Sequence, residues 1–267
     1  MTHDGRTVEE LVAAALQGEL EGSEPWEAVY TLHQRGGEEV FLAASALLRS
    51  PRPKERVRGA DILGQLMQPS DVRPRCVERM LPLLQEEQDA QVLQSLVLGL
   101  GHLGDERVPP AIAPLGGHPS AKVRGAVLLS LLKAPGTELL SLLLSFAEDP
   151  DEGVRGLAMV HLGGLPADVD TAELREVLVR RMDDASPPIR AEAVLMLAYR
   201  KDARILDLLR KVLRRSRVRL EYIEAAGALG DVSLLPLLRA LRGAGRDDDL
   251  PFTRALEQAL SALEPVP

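Results

Sequence analysis

Aromatic residues are scarce in this chain: three Phe, three Tyr and one Trp make up 3% of 267 residues. With hydrophobic residues at 45%, the interior must be built from Leu, Ala and Val. These pack helix on helix, whereas sheets draw on Tyr, Phe and Ile, so the shortage predicts an all-α protein. Cysteine is nearly missing as well. A lone Cys76 excludes a disulfide framework and a cysteine-based zinc cage within one chain, and it suits a reducing compartment. No apolar run approaches the roughly 18 residues of a membrane span. The N-terminus MTHDGRTVEEL is polar and acidic where a secretory leader is basic and then apolar. The expectation is a soluble, cytoplasmic chain that stays off membranes.

Positive charge is also in deficit, with a net charge of −8. That works against bulk electrostatic binding of nucleic acid and favours basic partners. The sum hides an asymmetry: residues 1–50 carry nine acids against three bases, while Lys201 to Arg219 carries eight bases against two acids.

What is present is repetition. In DPDEGVRGLAMVHLGGLPAD, from Asp149 to Asp168, turn and N-cap residues precede a helix in which Val154, Ala158 and Leu162 share one face. Gly163, Gly164 and Pro166 then stop it. So short a helix cannot bury its own apolar face and has to stack against similar units. Its leucine recurs along the chain as Leu32, Leu63, Leu100, Leu131, Leu162, Leu197 and Leu229, in steps of 31, 37, 31, 31, 35 and 32 residues. Four residues before each stands a mostly small residue: Ala28, Gly59, Leu96, Val127, Ala158, Ala193 and Ala225.

Between these ladder helices lies a second set of amphipathic segments, among them 8–16, 39–48, 73–84, 109–115, 138–146, 174–182, 205–213 and 234–241. Turn residues separate them at 50–51, 69–70, 118–120, 135–136, 186–188 and 243–249. The chain therefore reads as about eight helical hairpins in one domain, 1–267. Residues 1–50 form N-terminal capping repeats and 244–267 a C-terminal capping helix. An arginine directly after the branched residue of several ladder helices (Arg124, Arg155, Arg190), with Arg56 in the equivalent place of an off-pattern unit, is placed to fork onto the turn of the adjacent unit.

The run Val154-Arg155-x-x-Ala158-x-x-x-Leu162-Gly163, after Asp-Pro-Asp, resembles HEAT repeats of the short bacterial kind related to phycobilin-lyase repeats. The resemblance covers nearly the whole chain. It implies a right-handed α-solenoid, a HEAT-like superhelix, that binds other proteins along its concave face. Such a fold needs no cofactor, is expected to be monomeric, and carries no catalytic or metal residues here.

Chemical motifs are few. Gly99-x-Gly101-x-x-Gly104 matches the dinucleotide fingerprint, yet it closes a helix where that motif must open one, so capping and close packing account for it. Some HEAT-repeat hydroxylases hold iron with His-Glu pairs; none of the five histidines here is followed by Glu. HEAT-like glycosylases grip DNA with a repeated basic stripe, which this chain lacks.

If the second helices line the inner curve, the face beside the ladder leucines becomes the working surface. In the opening unit that face carries Leu157, Val160, His161 and Gly164. Over the chain it collects Glu27, Tyr30, Gln34, Arg58, Asp61, Gln65, His102, Ser130, His161, Glu192, Tyr199 and Glu224 as candidate partner contacts. The leading function is a non-catalytic scaffold or adaptor for a protein partner, including an inhibitor or immunity-type protein for a basic one. Two alternatives stand beside it. One is a nucleic-acid or phosphate-ligand binder using the 204–219 patch through Arg210, Lys211, Arg214, Arg215 and Arg217. The other is a lyase-like or accessory enzyme subunit of the phycobilin-lyase repeat type.

Overall fold

A computed structural model describes residues 4–66, 71–134, 138–215, 217–242 and 250–264. The turns expected at 69–70, 135–136 and 243–249 lie outside the described residues. Among those described, the regular elements are all helical. The chain packs as two compact units, Met1–Leu139 and Leu140–Pro267.

The first unit runs α1 (Val8–Ala15), α2 (Ser23–Arg35), α3 (Gly37–Leu47), α4 (Pro53–Gly64), α5 (Val72–Met80), α6 (Leu83–Glu86), α7 (Ala90–Leu103), α8 (Val108–Ile112) and α9 (Ala121–Leu131). The second runs α10 (Leu139–Phe146), α11 (Glu152–Gly163), α12 (Ala172–Arg181), α13 (Pro187–Tyr199), α14 (Leu206–Val212), α15 (Leu220–Leu229), α16 (Leu235–Arg242) and α17 (Leu250–Leu263). The ladder leucines sit in α2, α4, α7 and α9, then in α11, α13 and α15, and each is preceded by an outer helix. Four hairpins per unit result. Within the first unit the ladder helices pack in sequence order, α2 on α4 on α7 on α9; within the second, α11 on α13 on α15 on α17. Each unit is thus a stretch of α-solenoid.

Local chemistry explains the boundaries. Thr7 and Glu10 form a reciprocal capping box on α1, and the side chains of Asp89, Asp151 and Thr171 cap α7, α11 and α12. Two outer segments are less regular than their hydrophobic spacing predicts. The stretch 73–84 breaks into α5 and α6, with Pro82 just before α6, and 109–115 passes from α8 into a 3-10 turn at Ala113–Gly117.

Small residues set how closely the helices approach. Gly59, four residues before Leu63, lies against α3, where an added Cβ would stand 2.8 Å from the Ala44 carbonyl and the Leu48 nitrogen. One row over, Gly64 meets the backbone of Gly99 between α4 and α7. Gly101 meets Ser130 between α7 and α9 in the same way, and Gly227 meets Ala259 between α15 and α17. The ladder leucines flank these contacts and are buried from Leu32 through Leu197.

The recurring arginine has a fixed task. It donates to the carbonyls five and six residues before it, which are the open ends of its own turn. Arg124 bonds the His118 and Pro119 oxygens at 2.8 and 3.0 Å, and Arg155 bonds those of Asp149 and Pro150 at 2.9 and 3.0 Å. Arg190 repeats this on Asp184 and Ala185, and Arg56 reaches Ser50. Arg56 and Arg155 also fork forward. Arg56 grips Glu87 at 2.7 and 2.9 Å, and Arg155 grips Asp184 at 2.8 and 3.0 Å, each at the turn of the following hairpin. Burial pushes the Asp184 carboxyl up, but the bonds from Arg155 and the Ser186 N–H outweigh it and hold the group below its ordinary value. Near the end of α13, Asp202 collects Arg204 and Arg175, and the Arg204 bonds hold its carboxyl well below the carboxylate range.

Three outcomes follow for stability. Gly64→Ala forces α4 from α7 and should cost about 2 kcal/mol in denaturant unfolding. Asp184→Ala strands the Arg155 guanidinium and should cost about 3 kcal/mol. Because Asp184 and Asp202 are depressed in the folded chain, their contribution is complete above the unfolded carboxylate pKa of about 3.9 and is lost as pH falls through their lower folded values. Unfolding free energy measured from pH 6 to pH 2 should therefore decline with acid, and Asp202→Asn should flatten that decline.

Candidate functional site

From α2 to α13 each ladder helix turns its core row inward, leaving positions two residues before and two after the ladder leucine on the free face, whereas in α15 Gly227, two before Leu229, lies against Ala259. In the first unit the trailing positions are Gln34, Gln65, His102 and Lys133, all exposed. The leading positions are Tyr30, Asp61, Leu98 and Leu129, with Tyr30 at 61% and Leu129 at 38% exposure. In the second unit the leading row carries Val160, 68% exposed, and half-buried Leu195, and the trailing row carries Tyr199 at 54%. Large apolar groups are thereby held in water on short, well-packed helices.

Acids flank them. Glu27 is exposed beside Tyr30. Glu192 and Glu224 lie on α13 and α15, and burial, with the nearby charges of Glu221 and Glu224, pushes the Glu192 carboxyl up. The Glu224 carboxyl is raised by burial and by Glu221. Such shifts mark negative charge that the protein has left without a full counter-charge.

The sequence-derived candidates divide by register. Glu27, Tyr30, Gln34, Gln65, His102 and Tyr199 are exposed, and Asp61, Glu192 and Glu224 are partly so. Arg58 and Ser130 are corrections. Arg58 is 0% exposed: its Nε donates to the Ala15 carbonyl at 2.8 Å and a terminal nitrogen donates to the Leu20 carbonyl, closing the end of α1. Ser130 is one residue before its leucine, not two, so it faces α7 and donates to the Val97 carbonyl at 3.1 Å. His161 shares that offset and is half-buried on α11. Ser130 belongs to the seam between α7 and α9.

The basic cluster is partly consumed by structure. Arg204 pairs with Asp202 and Glu176, Arg210 with Asp207 and Ser233, and Arg219 with Glu221. Lys211, Arg214, Arg215 and Arg217 remain exposed, at the end of α14 and in the segment after it. They sit on the outer helix and its loop, while the ladder helix of the same hairpin presents Glu221 and Glu224.

Each glycine of the fingerprint-like run has a structural use: Gly99 meets Gly64, Gly101 meets Ser130, and Gly104 closes α7 in the left-handed conformation at φ 68°. Cys76 lies buried inside α5, not at a turn, and burial pushes its thiol up to about 11, away from nucleophilic use. Among the described residues no cluster of His, Cys, Asp and Glu is arranged to hold a metal, and no helix is long and apolar enough to cross a membrane.

Sequence reasoning missed a polar hollow between α2, α4 and α7, where Gln91 and Gln94 join Trp26 and Asp61. Nothing in a repeat pattern singles out Gln91 and Gln94, because they fall one and two turns before the register used to build the stripe. The division between seam and free face is testable by stability alone. Tyr30→Ala and Tyr199→Ala should change the unfolding free energy by no more than about 0.5 kcal/mol, while Arg58→Ala, which removes the donors to the α1 end, should cost about 3 kcal/mol in the same chemical denaturation assay.

HEAT repeats match residues 77–163 and 172–261. YibA of Escherichia coli K12 is 31% identical over 139 residues, which are 52% of this chain and 49% of the relative, and YibA of E. coli O157:H7 matches to the same extent. The chain's match therefore spans about half the length of these curated relatives. The X-ray structure of E. coli YibA superposes with a TM-score of 0.80 at 23% identity, covering 96% of this chain and 93% of that one, a likeness of fold. With repeats matched over well more than half of its length, the chain belongs to the HEAT-repeat family.

Proposed function

We propose that this protein is a non-catalytic scaffold that docks a protein partner on the free face of its ladder helices. The observation that carries the reading is an exposed row in each unit, two residues from a ladder leucine: Tyr30 and Leu129 in the first, Val160 and Tyr199 in the second. Interface energy concentrates in aromatic and large apolar anchors held rigidly, and this row has both properties. The acids beside it, Glu27 in the first unit and Glu192, Glu221 and Glu224 in the second, favour a partner with a basic surface. An inhibitor or immunity-type role toward a basic protein fits that charge, with the chain acting as a monomer in the cytoplasm. The outer-face residues Lys211, Arg214, Arg215 and Arg217 are left for solvent and for the helix dipole.

The test uses a photo-cross-linking amino acid in the producing cell. Placed at Leu129 or Val160, it should capture one and the same protein; placed at Glu9 or Glu173, exposed on outer helices, it should not. With that partner purified, Tyr30→Ala and Tyr199→Ala should each weaken binding about tenfold or more, and added salt should weaken it further. Capture from the outer positions alone, or full affinity in both tyrosine variants, would contradict the proposal.

A further inference from the structure

Beside the exposed row of the second unit, the repeat itself sets two carboxylates next to each other. Glu192 and Glu224 each stand five residues before a ladder leucine, Leu197 on α13 and Leu229 on α15. These helices pack directly together, so side chains in the same register are neighbours across an axis spacing of roughly 8–10 Å. Glu221 adds a third acid one turn before Glu224 on the same side of α15. All three are half-buried. On the other flank of α13, Gly163 of α11 leaves room for Glu192 to lie back, since an added Cβ there would stand 2.6 Å from its Oε1.

The cations on the surrounding elements are committed elsewhere. Among the described residues Glu192 and Glu224 form no hydrogen bond or ion pair, and Arg219 is spent on Glu221 at 2.6 Å. At α13, Arg190 bonds its own turn, Arg200 the Val169 and Met196 carbonyls, and Lys201 the Ala228 carbonyl at the far end of α15. On α11, Arg155 is paired with Asp184, and His161 stands two residues from Gly163, roughly 200° round the helix. The α12 arginines 175, 180 and 181 hold Asp170, Glu148 and Asp184, while Arg204 and Arg210 hold Asp202 and Asp207. Lys211 of α14 and Arg254 of α17 stand exposed, and α17 meets α15 through Ala259 on Gly227. Burial, then the charges of Glu221 and Glu224, raise the Glu192 carboxyl above the ordinary glutamate value, and burial with Glu221 raises that of Glu224.

We propose that Glu192 and Glu224 gate the docking face of the second unit by pH. At neutral pH both are ionised and draw a basic partner; mild acidification neutralises them before the ordinary surface carboxylates, and the partner is released from a folded chain. Like charges one helix apart with no cation between them favour the uptake of a proton. In the free protein the stability gained from their neutral forms is complete below the unfolded glutamate pKa of about 4.3 and is lost as pH rises through the higher folded values. A docked cation favours the ionised forms, so binding and proton release are linked. The gate rests on the docking reading above and adds its regulation.

Carbon-13 resonances of the glutamate carboxyls in the intact protein, followed from pH 8 to pH 4, read the gate without a partner. Two glutamates should titrate above the rest, Glu192→Gln should remove one of them, and Glu221→Gln should lower the midpoints of both. Gly163→Ala, which pushes the Glu192 carboxylate toward water without changing its charge, should return that midpoint toward the ordinary value. A labelled decalysine peptide then probes binding, because lysine keeps its charge throughout this range. Its affinity should fall about fivefold or more between pH 7.5 and pH 5.5. The Glu192→Gln, Glu224→Gln double variant should bind it weakly at both pH values while unfolding no more easily than the wild type at pH 7.5. Ordinary midpoints for both glutamates, or a pH dependence that survives in the double variant, would overturn the gate. Cross-linking at Val160 that succeeds while peptide binding ignores pH removes the gate alone. Cross-linking that fails while both glutamates titrate high and acid releases the peptide removes the docking reading and keeps the gate on this face.

Discussion

Close contact between successive ladder helices is the constraint from which the rest of each unit follows. Where Gly64 lies on Gly99 and Gly101 on Ser130, one side of each helix is committed to its neighbour and another, through Gly59 and its counterparts, to the outer helix of the same hairpin. A further strip of the helix stays in water: in the first unit it holds Tyr30 and Leu129, and in the second Val160 and Tyr199.

The arginines act in the same direction at the ends of the helices. A repeat that begins with a turn exposes carbonyls next to a buried helix start, and an orphaned polar group there is costly. Arg124, Arg155 and Arg190 meet those carbonyls from within their own repeat, and Arg56 and Arg155 extend the bond to the next turn. These side chains are committed to the stack, which is why a row of conspicuous arginines is a poor guide to an anion site in this protein. In the proposed reading, recognition draws instead on Glu27, Glu192 and Glu224.

Much of this was legible in the sequence, and the parts that were not share a cause. Leucine spacing alone located the ladder helices, and the scarcity of aromatics and cysteine gave the helical class. Register along a helix was harder. Tyr30 and Asp61 stand two residues before a ladder leucine and reach the surface, whereas Ser130 was misplaced by a single residue, a rotation of roughly 100° on a 3.6-residue helix that carries a side chain from face to seam. Arg58 was misread for a different reason. A charged residue on the right stripe looks exposed until its long side chain is seen to run inward to the Ala15 and Leu20 carbonyls. The cavity containing Gln91 and Gln94 depends on three helices at once, and no single repeat records it.

Hydrogen exchange resolved helix by helix tests the central constraint most directly. If the seams between ladder helices hold the fold, the slowest amides should lie in α4 and α7 of the first unit and in α13 and α15 of the second, each clasped by a ladder neighbour on both sides. The outer helices should exchange earlier. Outer helices protected as strongly as these four, or ladder helices that open first, would contradict the account.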